Sequence, residues 1–206
     1  FIQDEWQILP FWKANIGSRF YYFLTNEYFN LEPRVSTVFY LSDDIQINAA
    51  YSIAHQFLHL ITRSDISLPT DLWYPSKGDV EPSRAQQFVF GIDSYWFTKK
   101  YKFSVEAYYK GMKNLYELKN GSSFQLRENI SDQFTKGEGE AYGLELFLNK
   151  RAGSLTGWVG YTLSWTRRKF ADLNAGRIFY PRYDRRHDVS IVLTYKLNDN
   201  INFGAT

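Results

Sequence analysis

Ile45-Gln46-Ile47-Asn48-Ala49-Ala50-Tyr51-Ser52-Ile53-Ala54 is the stretch that decides the fold. Ile45, Ile47, Ala49, Tyr51 and Ile53 share one parity, and Gln46, Asn48, Ala50, Ser52 and Ala54 share the other. Successive side chains of a β-strand point to opposite faces, so this segment has one apolar and one polar side. Helical spacing fits it poorly. Working outward, Val189, Ile191, Leu193, Tyr195 and Leu197 alternate with Ser190, Val192, Thr194 and Lys196. Tyr142, Leu144, Leu146 and Leu148 alternate with Ala141, Gly143 and Glu145, and Phe103, Val105, Ala107 and Tyr109 with Ser104, Glu106 and Lys110.

Segments of this kind predict about ten strands. They fall near residues 1–8, 12–23, 34–41, 45–56, 86–97, 101–117, 138–150, 155–168, 185–197 and 201–206, with Pro33 at the start of its strand. Short turns are expected at Leu9-Pro10-Phe11, Ser42-Asp43-Asp44, Thr98-Lys99-Lys100, Arg151-Ala152-Gly153-Ser154 and Asn198-Asp199-Asn200. Long connections are expected at 24–33, 57–85, 118–137 and 169–184. Alternate connections of a meander lie at opposite ends, so one end carries tight turns and the other large loops, as in outer-membrane barrels.

Composition agrees with strands that meet a membrane boundary. Aromatics form 19% of the 206 residues, with 17 Phe, 16 Tyr and 6 Trp. Such rings suit a place where one end is apolar and the other wet. Tyr21, Tyr22 and Phe23, and then Phe39, Tyr40, Trp96, Phe97 and Tyr101, stand where aromatic girdles are expected. The polar parity is largely small: Asn15, Gly17, Ala50, Ser52, Gly91, Gly160, Thr162 and Ser164 suit a lumen into which something packs. Lys and Arg total 24 against 22 Asp and Glu, and no long basic run interleaves with the aromatics, which disfavours nucleic acid as a partner. With no Cys there is no disulfide and no Cys-ligated metal. No apolar run approaches the roughly 20 residues of a membrane-spanning helix. The first residues, Phe1-Ile2-Gln3-Asp4-Glu5-Trp6, read as mid-strand, so a longer protein is expected at both ends.

Tyr183-Asp184-Arg185-Arg186-His187-Asp188 and Leu155-Thr156-Gly157-Trp158-Val159-Gly160-Tyr161-Thr162-Leu163-Ser164-Trp165 resemble the barrel of TonB-dependent receptors from Bacteroidetes-type bacteria. Asn30-Leu31-Glu32-Pro33-Arg34-Val35-Ser36, Phe1-Ile2-Gln3-Asp4-Glu5-Trp6 and Tyr142-Gly143-Leu144-Glu145 are similar to recurrent segments of the same family. The resemblance covers essentially the whole chain. It implies an all-β fold: an antiparallel up-and-down transmembrane β-barrel of 22 strands, of which about ten consecutive strands are present. Residues 1–206 are then one partial barrel domain without plug, signal peptide or C-terminal strands. The resemblance further implies the outer membrane of a Gram-negative bacterium, with membrane lipid, a plug domain of the same polypeptide, the TonB complex and an extracellular small molecule as partners. No cofactor is implied.

Candidate binding residues lie in the long connections, where function concentrates on a rigid scaffold. In the loop from Phe57 to Ala85 these are His59, Arg63, Asp71, Trp73 and Tyr74; Arg182 and Tyr183 end another loop. A Trp-Tyr pair beside charged groups can stack on a ring or clasp a polar ligand, or pack one loop on its neighbour. His55 and His59 stand four apart, a metal spacing on a helix, but they fall where a strand enters a loop, so loop packing or ligand hydrogen bonding is the expectation. Asp184, Arg185, Arg186 and Asp188 read as an ion network of the wall. No nucleophile elbow, phosphate loop or metal-ligand set is present, so no enzymatic activity is expected. The chain is expected to serve TonB-energised uptake of a scarce solute such as an iron chelate. The alternatives are a passive channel or adhesion barrel, and a soluble β-sandwich whose apolar side a second sheet would cover.

Overall fold

The computed structural model describes residues 1–24, 27–61, 72–119 and 129–206. Ten strands form one antiparallel sheet: β1 (Ile2–Leu9), β2 (Trp12–Phe23), β3 (Tyr28–Tyr40), β4 (Ile45–Gln56), β7 (Ser83–Trp96), β8 (Tyr101–Leu118), β9 (Phe134–Lys150), β10 (Leu155–Phe170), β11 (His187–Lys196) and β12 (Asn202–Ala205). Sheet order follows chain order, which is the up-and-down meander of a barrel wall. Inserted between β4 and β7 is a separate hairpin, β5 (Leu58–Ile61) and β6 (Leu72–Pro75). β1 and β12 are the outermost strands of the ten, so the wall is open. Among the described residues the only other sheet is this two-stranded hairpin, so the apolar side has none of the second-sheet cover that the sandwich alternative calls for.

All ten expected strands are present, β7 and β9 beginning at Ser83 and Phe134, earlier than the expected 86 and 138, and three further details differ. The first is the length of β3, which begins at Tyr28, so the connection after β2 is residues 24–27 and not the long loop expected over 24–33. Cross-strand pairs of large apolar groups, Phe20↔Leu31 and Tyr22↔Phe29, hold this extension in register. Pro33 therefore lies inside β3, not at its start. Tyr40 donates its N–H to Phe11 on the β2 side and Leu41 donates to Ile45 on the β4 side, which puts odd-numbered β3 residues toward β4. Pro33 is one of these and has no N–H to give. The ladder with β4 accordingly ends at Arg34↔Ser52, and the Glu32 carboxylate accepts the His55 N–H at 2.5 Å in its place.

Cross-strand register sorts the wall into two faces. Tyr51, Phe88, Tyr109, Tyr142 and Trp165 form one continuous row across β4, β7, β8, β9 and β10. Below it, Ala107, Leu144 and Leu163 pair in the next row, then Val105, Leu146 and Tyr161, then Phe103, Leu148 and Val159. Trp96↔Tyr101 closes this face at the short-turn end. From Tyr101 to Tyr109 is eight steps, about 27 Å along a strand. With the tilt of a membrane barrel this spans about 20 Å, bounded by aromatics at both ends. The opposite face carries Asn48, Gly91, Glu106, Gly143, Glu145, Thr162 and Ser164.

The second departure is a bulge at Asn114 (φ 57°), where the β8–β9 register shifts between Lys113 and Leu115. One extra residue inverts parity, so Tyr116 and Leu118 emerge on the apolar-face side, where unbroken alternation would have turned them inward. The third, the β5–β6 hairpin, uses that change. Ile61, Val80, Tyr116, Leu118 and Phe134 form a small buried cluster, with Tyr74 and Ile130 packed on it. Apart from Ala14, every buried hydrophobic side chain among the described residues lies at this long-loop end.

Candidate functional site

The long-loop end is where ring systems, cations and buried polar groups converge, and the alternation of the strands decides which of them face the polar side. On β2, Tyr22 shares the apolar face with Phe29, whereas Tyr21 and Phe23 point the other way. Both meet Phe57, the first residue after β4: Phe23 stacks on it at 5.0 Å with rings 22° apart, and Tyr21 tilts against it at 5.7 Å. Arg19 adds a guanidinium 5.4 Å above the Tyr21 ring and donates to its hydroxyl. These residues make an aromatic and cationic lip on the polar side of β2–β4. Tyr21 and Phe23 were expected only as girdle residues, and parity read along β2 would have separated them from Tyr22. Nothing in the sequence marked Phe57 as their partner.

A second patch stands across the wall. Arg168 on β10 reaches Glu117 on β8 at 2.6 Å, with Glu117 only 1% exposed. Phe170, two residues further along β10, lies close against β9. A Cβ on Gly137 would fall 2.4 Å from the Phe170 ring, so only glycine lets that ring lie flat and become 1% exposed. Tyr183 caps Arg168, whose guanidinium lies 5.1 Å from the ring centre. Asp184 accepts the Thr166 N–H at 2.7 Å and pairs with Arg186 at 3.1 Å. Arg186 also donates to the Ser164 carbonyl at 2.9 Å and lies 4.7 Å from the Trp165 ring. Asp184 and Arg186 thus clamp the β10–β11 loop to the wall. Arg185 and Asp188 are 3.7 Å apart and exposed, a weak surface pair.

The other expected residues divide by exposure. Trp73 is 57% exposed on the β5–β6 hairpin, and Arg182 is exposed beside Tyr183. Tyr74 is half-buried and sets its ring edge against Phe134 at 5.1 Å, 82° apart. His59 is buried, with Nε2 2.9 Å from Ser76 Oγ and Nδ1 3.2 Å from Ser83 Oγ. Both ring nitrogens are thereby engaged, and burial lowers the pKa of the imidazole so that it is held neutral. His59 therefore organises the hairpin from behind. Arg63 and Asp71 lie outside the described residues. Among the described residues no group of three or more His, Cys, Asp or Glu is arranged to hold a metal ion, and His55 faces Glu32 at 3.3 Å.

The geometry is that of a wall with one apolar face, one polar face and a ring-rich mouth. Among solved structures it is similar to the ferripyoverdine receptor of the outer membrane of Pseudomonas aeruginosa, with a TM-score of 0.68, 16% identity, and coverage of 98% of this chain and 26% of that one. It is similar also to the alcaligin outer-membrane receptor FauA from Bordetella pertussis, with a TM-score of 0.63, 16% identity, and 97% and 34% coverage. A third is the ferric-catecholate import receptor Fiu from Escherichia coli K12, with a TM-score of 0.65, 12% identity, and 98% and 32% coverage. The chain thus spans between a quarter and about a third of the length of these receptors. Comparison with the curated proteins finds no match. The family model "TonB dependent receptor-like, beta-barrel" matches residues 1–205. The chain therefore belongs to the TonB-dependent receptor β-barrel family, whose members are proteins of the Gram-negative outer membrane.

Proposed function

We propose that residues 1–206 are part of the barrel wall of a receptor that takes up a scarce solute such as an iron chelate, at the expense of energy delivered through TonB. The observation that carries this reading is the mouth: rings and guanidinium groups on the polar side of the long-loop end, above a wall with the two faces of a membrane barrel. Planar, electron-rich or anionic chelates suit such a surface, because aromatic faces and Arg forks supply stacking and charge-assisted hydrogen bonds together. Arg182 and Tyr183 are presented to the ligand at the mouth, and Trp73 from the exposed face of the β5–β6 hairpin beside it. His59 and Tyr74 hold the hairpin that carries Trp73, and Arg63 and Asp71 belong to the same loop. The apolar face meets membrane lipid. The polar face meets a plug domain of the same polypeptide, with the remaining strands closing the barrel. TonB engages segments beyond this wall. The protein performs no covalent chemistry and uses no cofactor.

The neighbouring ferripyoverdine receptor and ferric-catecholate import receptor support this reading, and a passive channel or adhesion barrel is the competing one. Uptake of an iron-labelled chelate by the full receptor in an iron-starved Gram-negative host, with and without TonB, separates them. Energised uptake should vanish without TonB. Truncating Trp73 and Tyr183 to Ala should weaken chelate binding by about tenfold or more, as for aromatic anchors elsewhere. Uptake that persists undiminished without TonB would establish a passive channel instead.

A further inference from the structure

The apolar face does not end at the aromatic row. One step toward the long loops, the register places Gln86, Gly111, Glu140 and Arg167 side by side on β7, β8, β9 and β10. One step further stand Arg84, Lys113, Glu138 and Lys169. These residues line a cavity of 430 Å³ whose floor includes Phe88 and Tyr109. It opens on the outward side of the wall, away from the mouth, immediately beyond the aromatic row.

Charge inside it is unbalanced. Arg167 pairs with Glu140 at 2.6 Å, and Glu140 also accepts from the Tyr109 hydroxyl at 3.2 Å. Among the described residues, Arg84, Lys113 and Lys169 have no carboxylate within ion-pair distance. In the two outward rows Arg84, Lys113, Arg167 and Lys169 stand against Glu138 and Glu140, a net charge of 4 − 2 = +2, and Arg168, which also borders the cavity, is paired with Glu117. A soluble surface would scatter such charges. Here three strands present them at one height, level with where headgroups begin if the row from Phe88 to Trp165 marks the edge of the hydrocarbon. Gly111 keeps the floor open: a Cβ there would meet nothing nearer than the Tyr109 ring at 3.7 Å, so a larger side chain would project into the cavity without displacing backbone.

We infer that this outward cavity binds the phosphate groups of a phosphorylated glycolipid of the outer leaflet, with Arg84, Lys113 and Lys169 as the anion-binding residues. The inference rests on the proposal that the apolar face meets lipid. Arg forks and Lys ammonium groups are the natural donors to phosphate oxygens. The aromatic row below them supports the acyl chains, so the two halves of such a lipid find their complements on adjacent rows of the same strands.

The test is native mass spectrometry of the full receptor in detergent, titrated separately with diphosphorylated lipid A, with the same lipid dephosphorylated, and with inorganic phosphate. The phosphorylated lipid should bind tightest. Combined Arg84→Gln, Lys113→Gln and Lys169→Gln should weaken it by at least about tenfold, the value of one lost charge-assisted hydrogen bond. Gly111→Leu, which fills the cavity and leaves every charge in place, should do the same. Neutralising Lys99 and Lys100 at the opposite end should not. Equal binding of the dephosphorylated lipid, or no change in the triple variant and in Gly111→Leu, would overturn the inference. Inorganic phosphate binding as tightly as the lipid would also overturn it, leaving a free-anion site. Heat-modifiable mobility and retained chelate uptake in the variants separate this outcome from failure of the receptor reading itself, which loss of outer-membrane residence in the unaltered protein would signal.

Discussion

The wall strands β7 to β10 and the cap built on the β5–β6 hairpin are made from the same residue types and stabilised in opposite ways. In the wall, Phe88 and Phe90 are each 51% exposed and Ile92 is 42% exposed, because neither face is covered by protein. What holds it is the ladder and its cross-strand pairs, each worth roughly 0.2–1 kcal/mol. In the cap, Ile61 and Val80 are 0% and 2% exposed, and polar groups such as His59 and Ser76 are buried with partners. The wall delegates its apolar burial to a surrounding medium, whereas the cap supplies its own. The wall segment thus carries at its loop end a unit that buries its own apolar groups, as soluble proteins do.

Substitutions should respect that division. The largest effect is expected in the cap: Phe134→Ala leaves a cavity against Tyr74 and Tyr116 and should cost about 3–5 kcal/mol of local stability, read as faster amide exchange around β5 and β6. Survival of exchange protection there would show that the cap is held by the wall alone. Next comes the wall. Leu163→Arg places a charge on the apolar face and should cost roughly 2–4 kcal/mol near the midplane, measured by reversible unfolding in lipid vesicles. Thr162→Arg, on the polar face, should be milder, and equal costs would break the assignment of faces.

Acid should distinguish the regions more gently. His59 has its pKa lowered below 6.5 by burial, so the unfolded chain binds a proton before the folded cap does. Stability from this site is complete above pH 6.5 and is lost as pH falls from there through the lowered folded value. Protection factors in β5 and β6, the exchange rates normalised to the intrinsic base-catalysed rate at each pH, should therefore fall as pH drops below about 6.5 while those of mid-strand amides in β8–β10 do not. The smallest effect is expected at Lys136–Glu81, 2.8 Å apart but with both side chains about half exposed. Glu81→Gln should change stability by no more than about 1 kcal/mol.

Strand positions were legible because alternation is a local signal, and β2 and β4 were placed to the residue. The start of β3 was not, because Asn30 and Pro33 carry turn chemistry that the pairs Phe20↔Leu31 and Tyr22↔Phe29 override. The bulge at Asn114 was invisible, since one residue with positive φ leaves no trace in composition. The hairpin was hidden for a different reason: Leu58–Ile61 and Leu72–Pro75 are each too short to show a period. Of the proposed site, Trp73 and Tyr183 could be read from the sequence as candidate rings in long loops. The burial of His59 and the stack of Phe23 on Phe57 depend on contacts between residues far apart in sequence.

The central claim is that the two parities of the wall face lipid and lumen, and accessibility along β8 and β9 tests it most directly. The chain contains no Cys, so single cysteines at Val105, Glu106, Leu144 and Glu145 of the full receptor can be spin-labelled and reconstituted in lipid bilayers. Collision rates with oxygen, which partitions into lipid, should be high at 105 and 144 and low at 106 and 145. Uniform accessibility at all four positions, or all four equally open to a water-soluble nickel chelate, would contradict the account.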